Sequence, residues 1–313
     1  MIIQKFFSRW ILVSCLAVST PLIAQAPATP PTEPMSESAK LVKDAQKLTS
    51  EGKLDDALSA YRKALASSPK EVDAHLGIGV VLDLKGDYAE ARKHLNEAIT
   101  LASGNSKERA LRTMAFSYVF ECNVKEAAKY EQQVFDARMA AQDFVAAAGI
   151  ANELARLYLE CGDVNQAEQW YKTGYETSTK KTDMSEADRN LWLFRWTNAQ
   201  ARIAARRADK ETAQKHVEEA KKALDGAKNP DQARFYPYLT GYVAFYAGDY
   251  KTAITDLLRA DQGDPFILCL LAQAYEKSGD QTHAMEYYKK VMAINSHGPT
   301  NAFARPIARK KVG

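Results

Sequence analysis

Apolar residues recur at helical spacing along most of the chain, and short polar turns interrupt them. From Ser38 onward almost no stretch alternates as a strand would, whereas apolar positions return every three or four residues. Five turns share one form, in which a glycine precedes Asp or Lys and an alanine follows five residues after the glycine: EGKLDDA (51–57), KGDYAEA (85–91), CGDVNQA (161–167), AGDYKTA (247–253) and SGDQTHA (278–284). The pattern predicts an all-α chain of repeated helix–turn–helix units.

The alanine of each turn is a reference point for the rest of its unit. Twelve residues before it stands an alanine or a glycine, and four residues after it stands a tyrosine or a leucine. Small residues let two helices approach closely, the glycine ends the first helix, and the large side chain packs against the next unit. Weaker copies centred on Ala115 and Ala127, and on Ala201 and Ala213, bring the array to about seven units.

This arrangement resembles the tetratricopeptide repeat, a helix–turn–helix unit of about 34 residues. Pro69 and Pro265 take the position near the end of the unit where that family often has proline. The third copy departs from the pattern, with Cys122 in place of the turn glycine and Glu131 in place of a bulky apolar residue. The resemblance implies a right-handed superhelical solenoid of about seven repeats over residues 38–297.

The start of the chain has the order of a secretory signal peptide. Lys5 and Arg9 precede an apolar run over residues 10–24, and the small residues Ala24 and Ala26 follow. The run is shorter than the roughly 20 residues that a membrane-spanning helix needs. We expect residues 1–26 to be removed on export to the bacterial periplasm or the outside of the cell, and residues 27–37 to be a proline-rich linker.

Two details of this region leave alternatives open. Pro27 would directly follow a cut after Ala26, so cleavage at Ala24 or Ala28 is also compatible with the sequence. The run LVSC (12–15) resembles a bacterial lipobox, which would make Cys15 a lipid anchor, although most of the apolar run follows that cysteine. A membrane-tethered envelope assembly factor is therefore an alternative to a freely exported protein.

Charge and cysteine content exclude some classes of protein. Loss of Lys5 and Arg9 with the signal lowers the formal net charge from +3 to +1, which argues against a nucleic-acid partner. Three cysteines then remain, at 122, 161 and 269, and they do not form a disulfide framework. Because axes of packed helices lie about 8–10 Å apart and a disulfide needs Cα atoms within about 7 Å, we expect Cys122 and Cys161 to be free thiols.

No metal, cofactor or catalytic motif stands out. His94 and His216 occupy equivalent positions three copies apart, where they cannot share a ligand because each repeat touches only its neighbours. No H-E-x-x-H, C-x-x-C or nucleophile elbow occurs in the sequence. We therefore expect no metal, no cofactor and no enzymatic activity, while a helical enzyme that uses its groove as a substrate cleft is the alternative from another class.

The resemblance implies a binding groove on the concave face, formed by the first helices of successive repeats. The family's groove positions carry arginine, amide and tyrosine side chains in copies three to six of this chain. They are Arg109, Arg112, Asn152, Arg156, Arg195, Asn198, Arg202, Arg206, Tyr238 and Tyr242. Arginine pairs with carboxylates in two-point geometry, so these residues favour an acidic peptide or protein partner. The alternative is that the arginines are ordinary solvated charges and that the aromatic residues pack between helices.

Residues 298–313 are expected to be a basic C-terminal tail interrupted by Pro299 and Pro306. A solenoid needs a polar cap over its last repeat. The apolar edge of the seventh copy, with Met285, Tyr288 and Met292, is therefore expected to be buried by another segment. Either the tail or a second molecule would provide it, the latter through self-association. Taken together, the sequence predicts an exported scaffold that binds a protein or peptide partner in its concave groove.

Overall fold

The computed structural model describes residues 35–313, and that part of the chain is helical throughout, without a strand. The predicted signal peptide and most of the linker lie outside the described residues. The helices are α1 (Glu37–Ser50), α2 (Leu54–Ser67), α3 (Val72–Lys85), α4 (Tyr88–Leu101), α5 (Gly104–Val119), α6 (Val124–Ala140), α7 (Phe144–Glu160), α8 (Val164–Ser178), α9 (Glu186–Arg206), α10 (Lys210–Ala227), α11 (Pro230–Ala233), α12 (Phe235–Ala247), α13 (Tyr250–Leu257), α14 (Pro265–Ser278), α15 (Gln281–Ala293) and α16 (Pro299–Val312).

Consecutive helices pack as hairpins, and seven hairpins coincide with the seven predicted copies. The pairs are α1 with α2, α3 with α4, α5 with α6, α7 with α8, α9 with α10, α12 with α13, and α14 with α15. First helices of neighbouring pairs also pack on one another, as α3 does on α5 and α9 on α12. The predicted all-α solenoid of seven repeats is confirmed. None of the helices in residues 35–313 combines the length and apolar character that crossing a membrane requires.

The small residues of the repeat lie where the two helices of a pair cross. A Cβ atom added at Gly79 of α3 would lie 2.4 Å from Leu95 Cδ2 of α4, and one at Gly241 would lie 2.7 Å from Leu257 Cγ. Leu95 and Leu257 are the bulky residues of their units, and both are fully buried. The sequence pattern therefore corresponds to one contact, in which a missing side chain on the first helix admits a large one from the second.

The turn after the first helix takes a left-handed backbone conformation even in copies that lack glycine there. Cys122 and Ala208, in the third and fifth copies, have φ values of 51° and 60°. L-residues with a Cβ adopt this conformation at a cost, so the repeat geometry imposes it on them. The longest spacing between copies, from Ala167 to Ala213, is explained by α9, which has 21 residues, and by the loop that precedes it.

The expectation of free thiols at Cys122 and Cys161 is wrong, since the two residues form a disulfide. Their Cα atoms are 5.4 Å apart. The distance between helix axes does not limit the distance between these two cysteines, because they lie in the turns that follow α5 and α7 and not within the helices. In these turns the two chain segments approach each other. The left-handed conformation of Cys122 is part of that turn.

The third cysteine of residues 35–313, Cys269, is buried and forms no disulfide within those residues, and burial raises the pKa of its thiol to about 12.

The C-terminal residues form a helix, which corrects the expectation of a tail broken by two prolines. Pro299 is the first residue of α16, where a missing N–H costs nothing, and Pro306 lies inside the helix. Helical structure persists around Pro306 because one face of α16, with Phe303 among its buried residues, packs against α14, α15 and α5. This helix covers the seventh repeat, burying Tyr288, whereas Met285 remains 37% exposed.

Two arginines of α16 tie the seventh repeat to the second. Arg305 Nε donates to the carbonyl oxygen of Leu84 at 3.0 Å, and Arg309 Nη2 donates to the same oxygen at 2.6 Å. Arg305 Nη1 also donates to the carbonyls of Met292 and Ile294, 3.1 and 2.8 Å away. These carbonyls lie at the carboxyl ends of α3 and α15, where helices leave acceptors unpaired. The repeat array therefore closes on itself.

Candidate functional site

Six of the ten predicted groove residues surround one cavity of about 550 Å³. The cavity lies among α7, α9 and α12, and α11 and the first residue of α16 complete its wall. We call it the arginine cavity, and the six residues are Asn152, Arg156, Arg195, Asn198, Arg202 and Tyr238. The first helices of the fourth, fifth and sixth repeats thus bring their groove positions together, although the residues span almost ninety positions in the sequence.

Two further groove residues, Arg109 and Arg112, line a second cavity of about 450 Å³. It lies beside α5 and includes Phe116 and His297 in its wall. Pro299 at the start of α16 borders both cavities. The predicted groove residues therefore line two separate cavities, and Pro299 of the C-terminal helix contributes to the wall of both.

The remaining two groove residues, Arg206 and Tyr242, belong to the interior and line neither cavity. Tyr242 is fully buried, and its Oη donates to Glu160 Oε2 at 3.2 Å. Arg206 Nη1 lies 3.3 Å from the same oxygen, and Arg202 Nη1 lies 3.6 Å from Glu160 Oε1. Tyr242 and Arg206 are therefore packing and ion-pairing groups of the scaffold, and Arg206 is not the solvated charge that the alternative reading of the sequence describes.

Burial controls the ionisation of this interior network. Burial raises the pKa of Glu160 above its usual value, while the neighbouring arginines, Arg202 first, act in the opposite direction. Burial also raises the pKa of Tyr242 and of Tyr238. Both phenols therefore keep their protons at neutral pH and are hydrogen-bond donors. Tyr238 Oη has no hydrogen-bond partner within residues 35–313.

The arginines of the cavity are held by aromatic rings and amides more than by carboxylates. The guanidinium carbon of Arg195 lies 4.5 Å from the ring centre of Trp192, and that of Arg156 lies 5.2 Å from the ring centre of Phe266. Arg202 donates to Asn198 Oδ1 at 3.0 Å and to Tyr171 Oη at 2.8 Å. Such contacts orient a guanidinium without cancelling its charge. The site is therefore suited to the recognition of negative charge.

Several glutamates form ion pairs with the predicted arginines, and none of these glutamates was among the predicted site residues. Arg112 Nη2 donates to both carboxylate oxygens of Glu153, at 2.7 and 2.9 Å, and Arg112 Nε lies 4.0 Å from the buried Glu131. In the sequence, Glu131 differs from the repeat pattern but carries no other sign of a site residue. Glu160 and Arg206 occupy equivalent positions of adjacent copies, so opposite charges at one repeat position are the signal that would have linked them.

No group of three or more His, Cys, Asp or Glu side chains within residues 35–313 is arranged to hold a metal ion. The buried pair between His297 Nε2 and Asp83 Oδ2, 2.9 Å apart, instead joins α3 to the segment before α16. Ser117 Oγ donates to the other oxygen of Asp83 at 2.8 Å. This cluster holds the repeats together at the edge of the second cavity.

Comparison with known proteins agrees with the architecture. Residues 45–106 and residues 267–297 each match a family model described as tetratricopeptide repeat. A search of curated proteins finds no match to this chain. Among solved structures, similar ones include a tetratricopeptide repeat protein from Parabacteroides merdae, which is 12% identical with a TM-score of 0.51, the match covering 88% of this chain and 97% of that one.

The apo form of RapI is also similar, with 14% identity and a TM-score of 0.54, and the match covers 88% of this chain and 100% of that one. At these identities the similarity concerns the fold alone. The chain thus contains recognisable tetratricopeptide repeats near both ends of its array, and its architecture is that of tetratricopeptide repeat solenoid proteins.

Proposed function

We propose that this chain is an exported scaffold of the bacterial cell envelope that holds a protein or peptide partner on its concave face. The observation that carries the proposal is the arginine cavity, where groove positions of three successive repeats meet around an opening of about 550 Å³. Ligand sites in proteins commonly have volumes of about 300–1,000 Å³. Tetratricopeptide repeat solenoids generally mediate protein–protein interactions, which supports a partner of that class.

Two features support export. Residues 1–26 have the charge and apolar pattern of a signal peptide. The disulfide between Cys122 and Cys161 suits the periplasm or the outside of the cell, because cytosolic thiols are kept reduced. A lipid anchor at Cys15 would make the chain a membrane-tethered assembly factor, and the mass of the mature protein distinguishes the two forms. An enzyme is the less favoured alternative, since the cavity offers charge recognition and no nucleophile with an adjacent base.

Site-specific crosslinking in cells tests this proposal. A photoreactive phenylalanine replaces Phe235, which lines the arginine cavity, and in a matched strain it replaces Phe135 on α6, which lies outside that cavity. We expect protein adducts from position 235 and few from position 135, recovered from the periplasmic or membrane fraction. Equal adducts from both positions would contradict binding on the concave face, and a chain confined to the cytoplasm would contradict export.

A further inference from the structure

The arginine cavity contains more positive charge than its surroundings neutralise. Neither Arg156 nor Arg195 has a carboxylate oxygen within 4.0 Å among residues 35–313. The Nε atom of Arg156 is buried and has no hydrogen-bond partner in that part of the chain. A buried charge without a counterion is strongly destabilising, so this arrangement favours a bound anion.

The carboxylates around the cavity are either engaged or lie more than 4.0 Å from Arg156 and Arg195. Asp264 acts on Arg156 from beyond that distance and accepts from the N–H groups of Phe266 and Ile267, and Asp188 acts on Arg195 in the same way. Glu153 lines the cavity, but Arg112 binds both of its oxygens from the other side. Glu160 lies behind the cavity wall with a side chain only 2% exposed, and it is shared between Arg202 and Arg206. Two arginines, Arg156 and Arg195, are therefore left for a ligand, and both contribute to the wall of the same cavity.

Neutral groups of the wall suit the same ligand. Asn152, Asn198 and Gln232 present amides, which can donate to carboxylate oxygens, and Phe194 and Phe235 provide apolar area beside them. Carboxylates match the planar guanidinium in two-point geometry. Amides and aromatic surface also accommodate the backbone and methylene groups of a peptide. A site for an inorganic ion would not need such groups.

We propose that the arginine cavity binds two adjacent acidic side chains of the partner, one for each arginine that has no carboxylate oxygen within 4.0 Å among residues 35–313. This inference rests on the proposed function, because it takes the anion to be presented by a protein segment. The first carboxylate pairs with Arg195 near the surface and the second with Arg156 deeper in the cavity, with Arg202 fixed beside them by Asn198 and Tyr171.

Titration calorimetry of the purified chain with short peptides tests the inference. Three peptides differ only at two central positions, which are Glu-Glu, Gln-Glu or Gln-Gln, and glutarate and inorganic phosphate are the free-anion probes. We expect each glutamate to strengthen binding about tenfold, so that the Glu-Glu peptide binds about a hundredfold more tightly than Gln-Gln, because each carboxylate accepts charge-assisted hydrogen bonds that a glutamine amide does not replace. Affinity should fall with added salt, and bound Glu-Glu peptide should raise the unfolding temperature.

The matched variants are Arg195→Gln in the cavity and Arg207→Gln just beyond the end of the same helix. Arg207 is exposed and pairs with Glu168 at 2.8 Å, away from the cavity. We expect Arg195→Gln to weaken binding of the Glu-Glu peptide about tenfold and Arg207→Gln to leave it unchanged. Arg195→Lys keeps the charge without the two-point geometry, so an intermediate affinity is expected, and circular dichroism verifies that each variant is folded.

Each contrary outcome has a distinct meaning. Equal affinity for Glu-Glu and Gln-Gln peptides, or equal losses in the two Gln variants, would overturn the inference, and crosslinks from position 235 would then still support the proposed function. Tighter binding of glutarate or phosphate than of the Glu-Glu peptide would overturn presentation by a protein. Loss of the crosslinks themselves would remove the proposed function as well.

Discussion

Single buried polar residues distinguish this chain from a generic repeat array, and Glu131 is the clearest case. It occupies the position where every other copy has tyrosine, leucine or valine, it is fully buried, and neither carboxylate oxygen has a hydrogen-bond partner within residues 35–313. Burial, followed by the neighbouring Glu153 carboxylate, raises the pKa of Glu131 well above its usual value of 4.5. The folded protein therefore holds a proton on Glu131 at pH values where the unfolded chain has lost it.

This shift predicts a pH-dependent stability. Because the folded pKa lies above the unfolded one, the free energy of unfolding falls as the pH rises from about 4.5 through the folded pKa. Glu131→Gln removes the effect, so we expect the variant to be more stable than the wild type at pH 8, by on the order of 1 kcal/mol, and similar at pH 4.5. Thermal unfolding across this range measures the difference.

The control is Glu126→Gln on the same helix, where the glutamate forms an exposed pair with Lys129. Exposed pairs of this kind contribute less than about 1 kcal/mol, so its unfolding temperature should follow that of the wild type at every pH. A stability difference for Glu131→Gln that does not change with pH would contradict the assigned cause.

At the scale of the element, the helix pair depends on close approach at one small residue. Gly79 lies against Leu95, and a Cβ atom there would also lie 3.3 Å from the backbone oxygen of Ala91. Leu95 is fully buried and has no room to withdraw. Gly149 is the useful contrast, since it lies inside α7 with no other atom within 4 Å of an added Cβ.

The two glycines should respond oppositely to the same substitution. We expect Gly79→Ala to destabilise the protein by about 1 kcal/mol, because overpacking in a close-packed contact outweighs the better helix propensity of alanine. Gly149→Ala should stabilise it by about 0.5–1 kcal/mol, because alanine lowers the conformational entropy of the unfolded chain. Denaturant unfolding measures both variants, and a shift of the same sign in each would contradict this account of the repeat.

At the scale of the whole molecule, α16 closes the array by joining the second repeat to the seventh. Arg305 is 5% exposed, and burial lowers the pKa of its guanidinium to about 10, so the side chain stays charged at neutral pH. Its three main-chain acceptors lie at the ends of α3 and α15. The helix therefore both caps the last repeat and joins it to the end of α3 in the second repeat.

Replacement of this arginine should weaken both ends of the bridge. We expect Arg305→Met to lower the free energy of unfolding by at least about 2 kcal/mol, because charged hydrogen bonds are lost and buried carbonyls are left unpaired. Hydrogen exchange should accelerate at the carboxyl end of α3 as well as in α15. Lys310→Met, at an exposed position of the same helix, is the control. Faster exchange confined to the seventh repeat would contradict closure of the array.

The sequence by itself determined the repeat. The same residue types recur in every unit because the two helices of each unit pack in the same way. These are the small residues, the turn glycines and the large residue that follows them. The positions of Gly79 and Gly241 at helix crossings could therefore be predicted from their spacing alone. The groove positions were implied by the resemblance to the tetratricopeptide repeat, and six of the ten residues meet at the arginine cavity.

Only the tertiary structure decided which of these side chains are available and which pair with each other. Cys122 bonds to a residue 39 positions away, and Arg305 reaches a carbonyl 221 positions away. Such pairings depend on the total rotation that accumulates between repeats along the array. A local sequence pattern contains no information about that total. For this reason the sequence indicated a groove of arginines, whereas the fold paired Arg206 with Glu160 and left Arg156 and Arg195 without a carboxylate oxygen within 4.0 Å among residues 35–313. It also placed Pro299 of the C-terminal helix in the walls of both cavities.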